Sequence, residues 1–395
     1  MKKFKVAIFT GNRAEYGLQY PIIKAISEHP LLDYYLLVSG AHLDEDFGYT
    51  KSEIENDGFK VFAEVKITMV QDNLNGTAHA IGSGIINLSK ILDTIKPDFL
   101  VVYADRFEGF AAVIAGSQMA IPTAHIEGGD ITEGGALDDI VRHAMTKLSH
   151  LHFTTNEEAK ERLIKLGEEP WRVYNVGFSV IDLIKDKNFA SYEEINKKFK
   201  IVSDKPIVLF TQHSVTTEFE QAAKQIRPSL DAMVKLANKD MQIIITYPNN
   251  DAGGKMIIEE IRILNEKGIK NIYVYDSLGR YFYHGILNLC GQYGIGVCVG
   301  NSSSGIKETP SFGCPTVNIG SRQDGRLRSN NIIDTDYNSK SIEIAIEKAL
   351  FNKDFRDLCS NCDNPYGKGN SGYNIAKVLS ETKITPELVQ KKITY

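Results

Sequence analysis

Short β-branched and apolar runs alternate with amphipathic helical stretches from one end of the chain to the other, the pattern of βα units in a parallel sheet. In the first half the runs predict strands at residues 5–10, 34–39, 62–67, 98–103, 123–126 and 150–154. Leu100-Val101-Val102-Tyr103 and Ala124-His125-Ile126 are continuous rather than alternating, as in strands covered on both faces, and belong near the centre of a sheet. Residues 186–204 are polar and lysine-rich with no apolar run longer than two residues, and a fresh strand follows, so this segment marks a domain boundary. The rhythm then repeats, with strands near 207–211, 242–246, 272–275, 296–300 and 316–319. Val6-Ala7-Ile8-Phe9-Thr10-Gly11-Asn12-Arg13 and Ile207-Val208-Leu209-Phe210-Thr211-Gln212-His213-Ser214 echo each other as strand, polar turn, helix. The expected fold is α/β: two doubly wound, Rossmann-like domains, 1–185 and 205–365, facing a central cleft where ligands bind outside the carboxyl ends of the strands. Residues 366–395 form a terminal segment.

Length supports that division, because 395 residues exceed one ordinary domain of roughly 100–200 residues. A hydrophobic fraction of 43% and a charged fraction of 24% describe a globular chain. The net charge is −5 and no dense Lys/Arg run occurs, so the electrostatic footprint of a nucleic-acid binder is missing. Met1-Lys2-Lys3-Phe4-Lys5 starts like a signal peptide, but the apolar run Val6–Phe9 meets Thr10-Gly11 at once and reads as a strand. No stretch approaches the ~20 apolar residues of a membrane span, and the expected location is cytoplasmic. Five cysteines read as reduced core thiols; Cys359-x-x-Cys362 has no second Cys/His pair with which to build a zinc site, so no metal is expected.

Candidate chemistry lies just past the predicted strand ends: Arg13, Asp105-Arg106, Glu127-Gly128-Gly129, His213 and Asn301-Ser302-Ser303-Ser304-Gly305. In the last, a strand ending at Gly300 and a helix starting near Gly305 bring backbone N–H groups and a positive dipole end to one point, which suits a phosphate. Neither the Walker spacing nor Gly-x-Gly-x-x-Gly is present, which weakens kinase, ATPase and NAD-enzyme readings. Glu308, one turn into that helix, is placed to accept from ribose hydroxyls, and Arg322 to pair with a phosphate. The plainer reading is a serine-capped helix with a solvent salt bridge. Asp105 and Glu127 are carboxylates on adjacent strand ends, suited to acid–base work, or else turn-forming acids. Asp138 and Arg142 stand i, i+4 on a helix over 137–147, the spacing of an ordinary salt bridge. His213 titrates in the useful range, whereas His125, His150 and His152 lie within apolar strands and read as satisfied core histidines.

Taken in order, the stretches Thr10-Gly11-Asn12-Arg13-Ala14-Glu15-Tyr16-Gly17, Asp105-Arg106-Phe107-Glu108, His125-Ile126-Glu127-Gly128-Gly129-Asp130, Asp138 through Lys147, His213, Gly300 through Glu308, Gly320-Ser321-Arg322-Gln323 and Asn364-Pro365-Tyr366-Gly367 resemble the hydrolysing UDP-N-acetylglucosamine 2-epimerases. The resemblance runs over roughly residues 4 to 380. It implies a glycosyltransferase-B-like fold with a C-terminal helix returning to the first domain. It implies that Ser302, Ser303 and Glu308 hold the nucleotide, that Arg13 and Arg322 lie near the diphosphate, and that Asn249 and Gly279 complete the binding set. Asp105, Glu127, Asp138 and His213, with Arg142, are the implied catalytic set. Non-hydrolysing relatives look different, carrying His-Val-Glu-Ala-Gly and Pro-Glu-Glu-x-x-Arg where this chain has His125 to Gly129 and Leu137 to Arg142. Asn12, Tyr103-Ala104-Asp105 and Gln212-His213-Ser214 depart from the commonest form, which bears on the substrate rather than the reaction class. The implied chemistry is anti-elimination of the nucleoside diphosphate followed by addition of water, which inverts C2 without a hydride and therefore without a redox cofactor. A homodimer or homotetramer is implied as well. Alternatives are the same reaction on a UDP- or GDP-linked 2,4-diacetamido-2,4,6-trideoxy sugar, a glycosyltransferase of the same fold, and a non-catalytic sugar-nucleotide sensor.

Overall fold

The computed structural model describes residues 3–43, 50–67, 74–131, 136–202, 204–249, 252–292 and 295–395. Contacts divide the chain into two units, the first made of Met1–Asp130, Leu137–Asp182 and Gly369–Tyr395, the second of Ile131–Ala136 and Leu183–Lys368.

Unit 1 carries strands β1 (Phe4–Thr10), β2 (Leu32–Ser39), β3 (Val61–Val65), β4 (Phe99–Tyr103), β5 (Thr123–Ile126), β6 (Leu151–Thr154) and β7 (Val173–Asn175), all parallel, in the order β3-β2-β1-β4-β5-β6-β7. Six of these match the apolar runs, with ends shifted by one or two residues. The seventh lies outside the expected set: it is three residues long, and only Val173 is buried. Central strands β4 and β5 are buried at every position, as their unbroken apolar runs require. Apolar side chains from the helices Arg13–Glu28 and Ser371–Glu381, among them Ile22, Ile23, Ile26, Ile375 and Leu379, share one core cluster with β1, β2 and β4.

Unit 2 carries β8 (Ile207–Thr211), β9 (Gln242–Thr246), β10 (Ile272–Tyr275), β11 (Gly296–Gly300), β12 (Thr316–Ile319) and β13 (Ile332–Thr335), again parallel, in the order β10-β9-β8-β11-β12-β13. The first five fall at the expected positions. The edge strand β13 is an addition to them, since its Ile-Ile-Asp-Thr run is short and only partly covered. The polar stretch after Asp186 contains the helix Tyr192–Phe199, whose Ile195 and Phe199 are buried in this unit. Its Ser191 and Glu194 form a reciprocal capping box, which accounts for a helix in so polar a segment.

Both sheets reverse their winding direction between two neighbouring central strands, β1 and β4 in unit 1 and β8 and β11 in unit 2. At such a point the helices leave on opposite faces and open a crevice beyond the carboxyl ends of the strands. The crevice-forming turns are therefore Gly11–Asn12 and Ala104–Asp105 in unit 1, and Gln212–His213 and Asn301–Ser302 in unit 2. Among the described residues no helix is long and apolar enough to cross a membrane. All five cysteines are unpaired with one another, four of them buried.

Candidate functional site

In unit 1 the site is organised by a buried arginine. The helix Ala136–Leu148 presents Arg142, only 4% exposed, to the ends of β4 and β5. Its guanidinium donates to Asp105 Oδ2, to Asp139 Oδ1 at 2.5 Å and to the backbone carbonyl of Asp130 at 2.7 Å. Burial alone lowers the pKa of such a group, yet that of Arg142 is raised, because Asp105, Asp130, Asp139 and Glu127 all act on it. One permanent cation thus sits in a nest of carboxylates, paired directly with Asp105 and Asp139 and acting at longer range on Asp130 and Glu127.

Backbone geometry aims two of these acids. Ala104 and Glu127, which follow adjacent strands, have φ of 52° and 63°, a left-handed conformation that costs a non-glycine residue about 1–2 kcal/mol. Glu127 is buried, and its N–H still donates to Phe153 O at 2.9 Å, so the reversal occurs while the residue remains tied to β6. Gly129 allows the chain to pass close beneath: φ is 81°, and a Cβ there would stand 2.5 Å from the Ala159 carbonyl oxygen. His125 is fully buried and burial drives its pKa down to about 3, so it is neutral. Its Nε2 donates to the Ala104 carbonyl at 2.6 Å, and Nδ1 contacts Thr146 Oγ1 at 3.2 Å. Although satisfied as expected of a core histidine, it also fixes the turn that carries Asp105. Tyr103 lies wholly buried beside Glu127, with burial first and that carboxylate next pushing its phenol well above the usual range. His150 accepts from the Thr123 N–H at 3.0 Å, as expected of a core histidine, and His152 Nε2 pairs with Glu168 at 2.9 Å, whereas its buried Nδ1 has no partner among the described residues, so His152 is only half satisfied. Arg13 begins the first helix and Asp138 lies in the helix of Arg142, but both side chains fall outside the described residues.

In unit 2 the central residue is Asn301, buried, the first after β11. Its side chain accepts from His213 N at 2.6 Å and donates to His213 O at 2.9 Å, clamping the turn after β8. Its own carbonyl accepts from Arg322 at 3.2 Å and from Gln323 at 2.8 Å, which brings in the turn after β12. His213 Nδ1 lies 3.1 Å from both the Asn249 N–H and the Asn249 side-chain oxygen, so Asn249 positions the imidazole from two sides. Asn301 thereby ties the turn of His213, which Asn249 contacts, to the turn of Arg322, and Ser302 and Ser303 follow it in the chain. Close passage again needs glycine: Gly300 has φ of 129°, and a Cβ would fall 1.8 Å from the Thr211 carbonyl oxygen.

One expectation is corrected here. The helix after the serines is a single turn, Ser304–Lys307, followed by a 3-10 turn Thr309–Phe312, because Pro310 interrupts α-helical bonding. Its dipole is accordingly small, and Glu308 caps the turn instead of standing within a helix. Glu308 Oε2 pairs with His284 Nε2 at 2.8 Å, an orientation across 24 residues with no local sequence signal. Tyr283 bonds Ser304 Oγ at 2.6 Å beneath the turn. Gly279 opens the helix Gly279–Gln292 with φ of 68°, its N–H donating to Ser277 Oγ at 3.1 Å.

Residues to which sequence reasoning gave no individual role are Asp130, Asp139, Asn301 and His284. Asp139 had a signal, since i, i+3 lies on the same helical face as i, i+4. Asn301 stood within the recognised loop but offered only its position.

Comparison with known proteins identifies the family. The family model described as "UDP-N-acetylglucosamine 2-epimerase" matches residues 24–380. A Campylobacter jejuni protein named GDP/UDP-N,N'-diacetylbacillosamine 2-epimerase (hydrolyzing) is 34% identical over 356 residues, covering 90% of each chain. A Neisseria meningitidis UDP-N-acetylglucosamine 2-epimerase is 32% identical over 349 residues, covering 87% of each. Among solved structures, the fold matches that of a UDP-GlcNAc 2-epimerase from Neisseria meningitidis bound to UDP-GlcNAc, with a TM-score of 0.80 at 20% identity over 96% of this chain and 100% of that one. The α/β fold with two parallel sheets is thus of the glycosyltransferase-B-like kind, and the chain belongs to the UDP-N-acetylglucosamine 2-epimerase family.

Proposed function

We propose that this enzyme is a hydrolysing 2-epimerase, converting UDP-N-acetylglucosamine to N-acetylmannosamine and UDP. The observation that carries the reading is the Asp105 carboxylate paired with buried Arg142 at the end of β4, beside buried Glu127 at the end of β5. The C2 proton of the sugar is hardly acidic, so elimination needs a positioned base and stabilisation of the departing diphosphate as its charge develops. Asp105, Glu127, Asp138 and His213 serve as the proton-transfer set. Ser302, Ser303, Arg13 and Arg322 hold the diphosphate, Glu308 the ribose, and Asn249 and Gly279 complete the nucleotide site. Elimination gives a 2-acetamidoglucal, and water then adds from the opposite face of C2.

A second substrate reading is favoured by the similarity to the Campylobacter protein named for diacetylbacillosamine: the same reaction on a UDP- or GDP-linked 2,4-diacetamido sugar. A pocket wall different by one methyl or amide would decide between them. The test is incubation of the purified protein with each nucleotide sugar alone, following free sugar and free nucleotide together. Equimolar release of the C2-inverted sugar and UDP is the expected result. Inverted sugar still attached to UDP would instead mean a non-hydrolysing epimerase, and negligible release would favour a glycosyltransferase awaiting an acceptor.

Nucleotide binding has its own expected outcome. Arg322→Ala should weaken UDP affinity by about tenfold or more, the worth of a charge-assisted hydrogen bond, and Ser303→Ala by about fivefold. Calorimetry showing unchanged UDP affinity in Arg322→Ala would remove that residue from the diphosphate site.

A further inference from the structure

The last residues of unit 1 are fastened to it by groups that the proposed reaction leaves unused. Arg172, fully buried, donates to the carbonyls of Leu388 at 2.7 Å and Glu387 at 2.6 Å, and its Nε donates to Glu169 Oε2 at 2.7 Å. These bonds hold the short helix Pro386–Val389, and Lys391, two residues beyond it, reaches the end of the helix Ala136–Leu148. Its Nζ donates to the carbonyls of Thr146 at 3.1 Å and Lys147 at 3.0 Å. Those carbonyls lie in the final turn, where helical N–H donors run out and the dipole end is negative, so an ammonium meets both needs. The same ammonium stands 2.7 Å from Glu168 Oε2, which also pairs with His152 Nε2 at 2.9 Å; His152 is on β6. Helix end, C-terminal segment and sheet thus meet at Lys391 and Glu168.

We propose that Lys391 is a positioning residue for the reaction: by clamping the final turn of the helix Ala136–Leu148 to Glu168, it sets where Arg142 and His125 meet the turn of Asp105. The inference rests on the proposed function for its kinetic part only. Two routes lead from the clamp to that turn. Thr146, whose carbonyl receives Lys391, contacts His125 Nδ1 through its hydroxyl at 3.2 Å, and His125 Nε2 donates to the Ala104 carbonyl at 2.6 Å, one residue before Asp105. Arg142 stands about one turn, ~6 Å, before Thr146 on the same helix and pairs with Asp105 directly. A shift of the final turn therefore moves both supports of Asp105 together. An exposed ion pair would be too loose to hold such a position. This one is enclosed, with the Lys391 side chain 18% exposed and that of Glu168 1%. Lys147 also reaches Glu168, at 3.0 Å, but it belongs to the helix and cannot tie that helix to the C-terminal segment.

The test uses the full chain with Lys391→Met, which keeps the apolar stem and removes the donors and charge, and Lys391→Arg, which restores both. Lys391→Met should lower kcat for sugar release by about tenfold or more, with KM and calorimetric UDP affinity each within about threefold of wild type and the number of UDP sites unchanged. Lys391→Arg should recover most of that loss, because a guanidinium can also donate to two carbonyls and a carboxylate. Amide hydrogen exchange reads the clamp without the reaction: residues 145–149 should exchange about tenfold faster or more in Lys391→Met, while β11 in unit 2 stays level. Wild-type kcat in Lys391→Met, a loss that Lys391→Arg does not relieve, UDP sites lost in proportion to turnover, or unchanged exchange at 145–149 would each overturn the proposal. If Lys391→Met does not fold, Lys391→Gln, shorter and neutral, is put through the same measurements. Should wild type release no sugar at all, the proposed function has failed, and hydrogen exchange still judges the clamp.

Discussion

Asp105→Asn and Glu127→Gln should each fold, bind UDP and lose turnover by about 10³-fold or more, the scale of a lost acid–base group. Neither change alters shape. Asparagine at 105 can still accept from Arg142, and glutamine at 127 keeps the N–H bond to Phe153 that ties its turn to β6. What disappears is the ability to take or give a proton at the end of β4 or β5. Turnover within tenfold of wild type, measured by free-sugar release with UDP affinity unchanged, would remove the substituted residue from the mechanism.

Arg142→Met should damage both stability and activity. Methionine fills similar space, but it leaves Asp105 and Asp139 without their ion-pair partner and Asp130 and Glu127 without a neighbouring cation. Removing one partner from a buried ionic cluster costs about 3–5 kcal/mol, because the remaining charges stay enclosed and uncompensated. Arg142→Lys should recover part of the stability but little of the activity, since an ammonium supplies the charge without the fork that reaches Asp105, Asp139 and the Asp130 carbonyl together. Denaturant unfolding of the two variants beside wild type checks this order. Equal stability of the Arg142→Met variant and the wild-type protein would mean that the four acids do not depend on the arginine.

Much of this arrangement is written in the sequence because parallel strands buried on both faces leave an unbroken apolar signature. Leu100 to Tyr103 and Ala124 to Ile126 show it, and once those strands are placed, Asp105 and Glu127 fall at their ends without further information. Edge strands lack the signature. Val173–Asn175 and Ile332–Thr335 each have a neighbour on one side only and need few apolar residues. Site residues divide along similar lines. Those in turns after strands are legible from position, whereas His284, which orients Glu308 from within a helix, depends on a tertiary contact that no spacing encodes. Asp139 shows the limit of helical arithmetic: both 138 and 139 can reach the face of 142, and only packing shows that Asp139 bonds Arg142. Pro310 is plain in the sequence, and its effect on the serine-turn helix follows directly from its missing N–H.

The most direct measurement of the central claim follows the hydrogen at C2. UDP-N-acetylglucosamine is incubated with the enzyme in heavy water, and the released sugar is analysed by NMR. Proton removal by the carboxylate nest followed by addition of water predicts N-acetylmannosamine carrying deuterium at C2. Release of N-acetylglucosamine with its original C2 hydrogen would show that the bond to UDP breaks without that proton being touched, and would contradict the account.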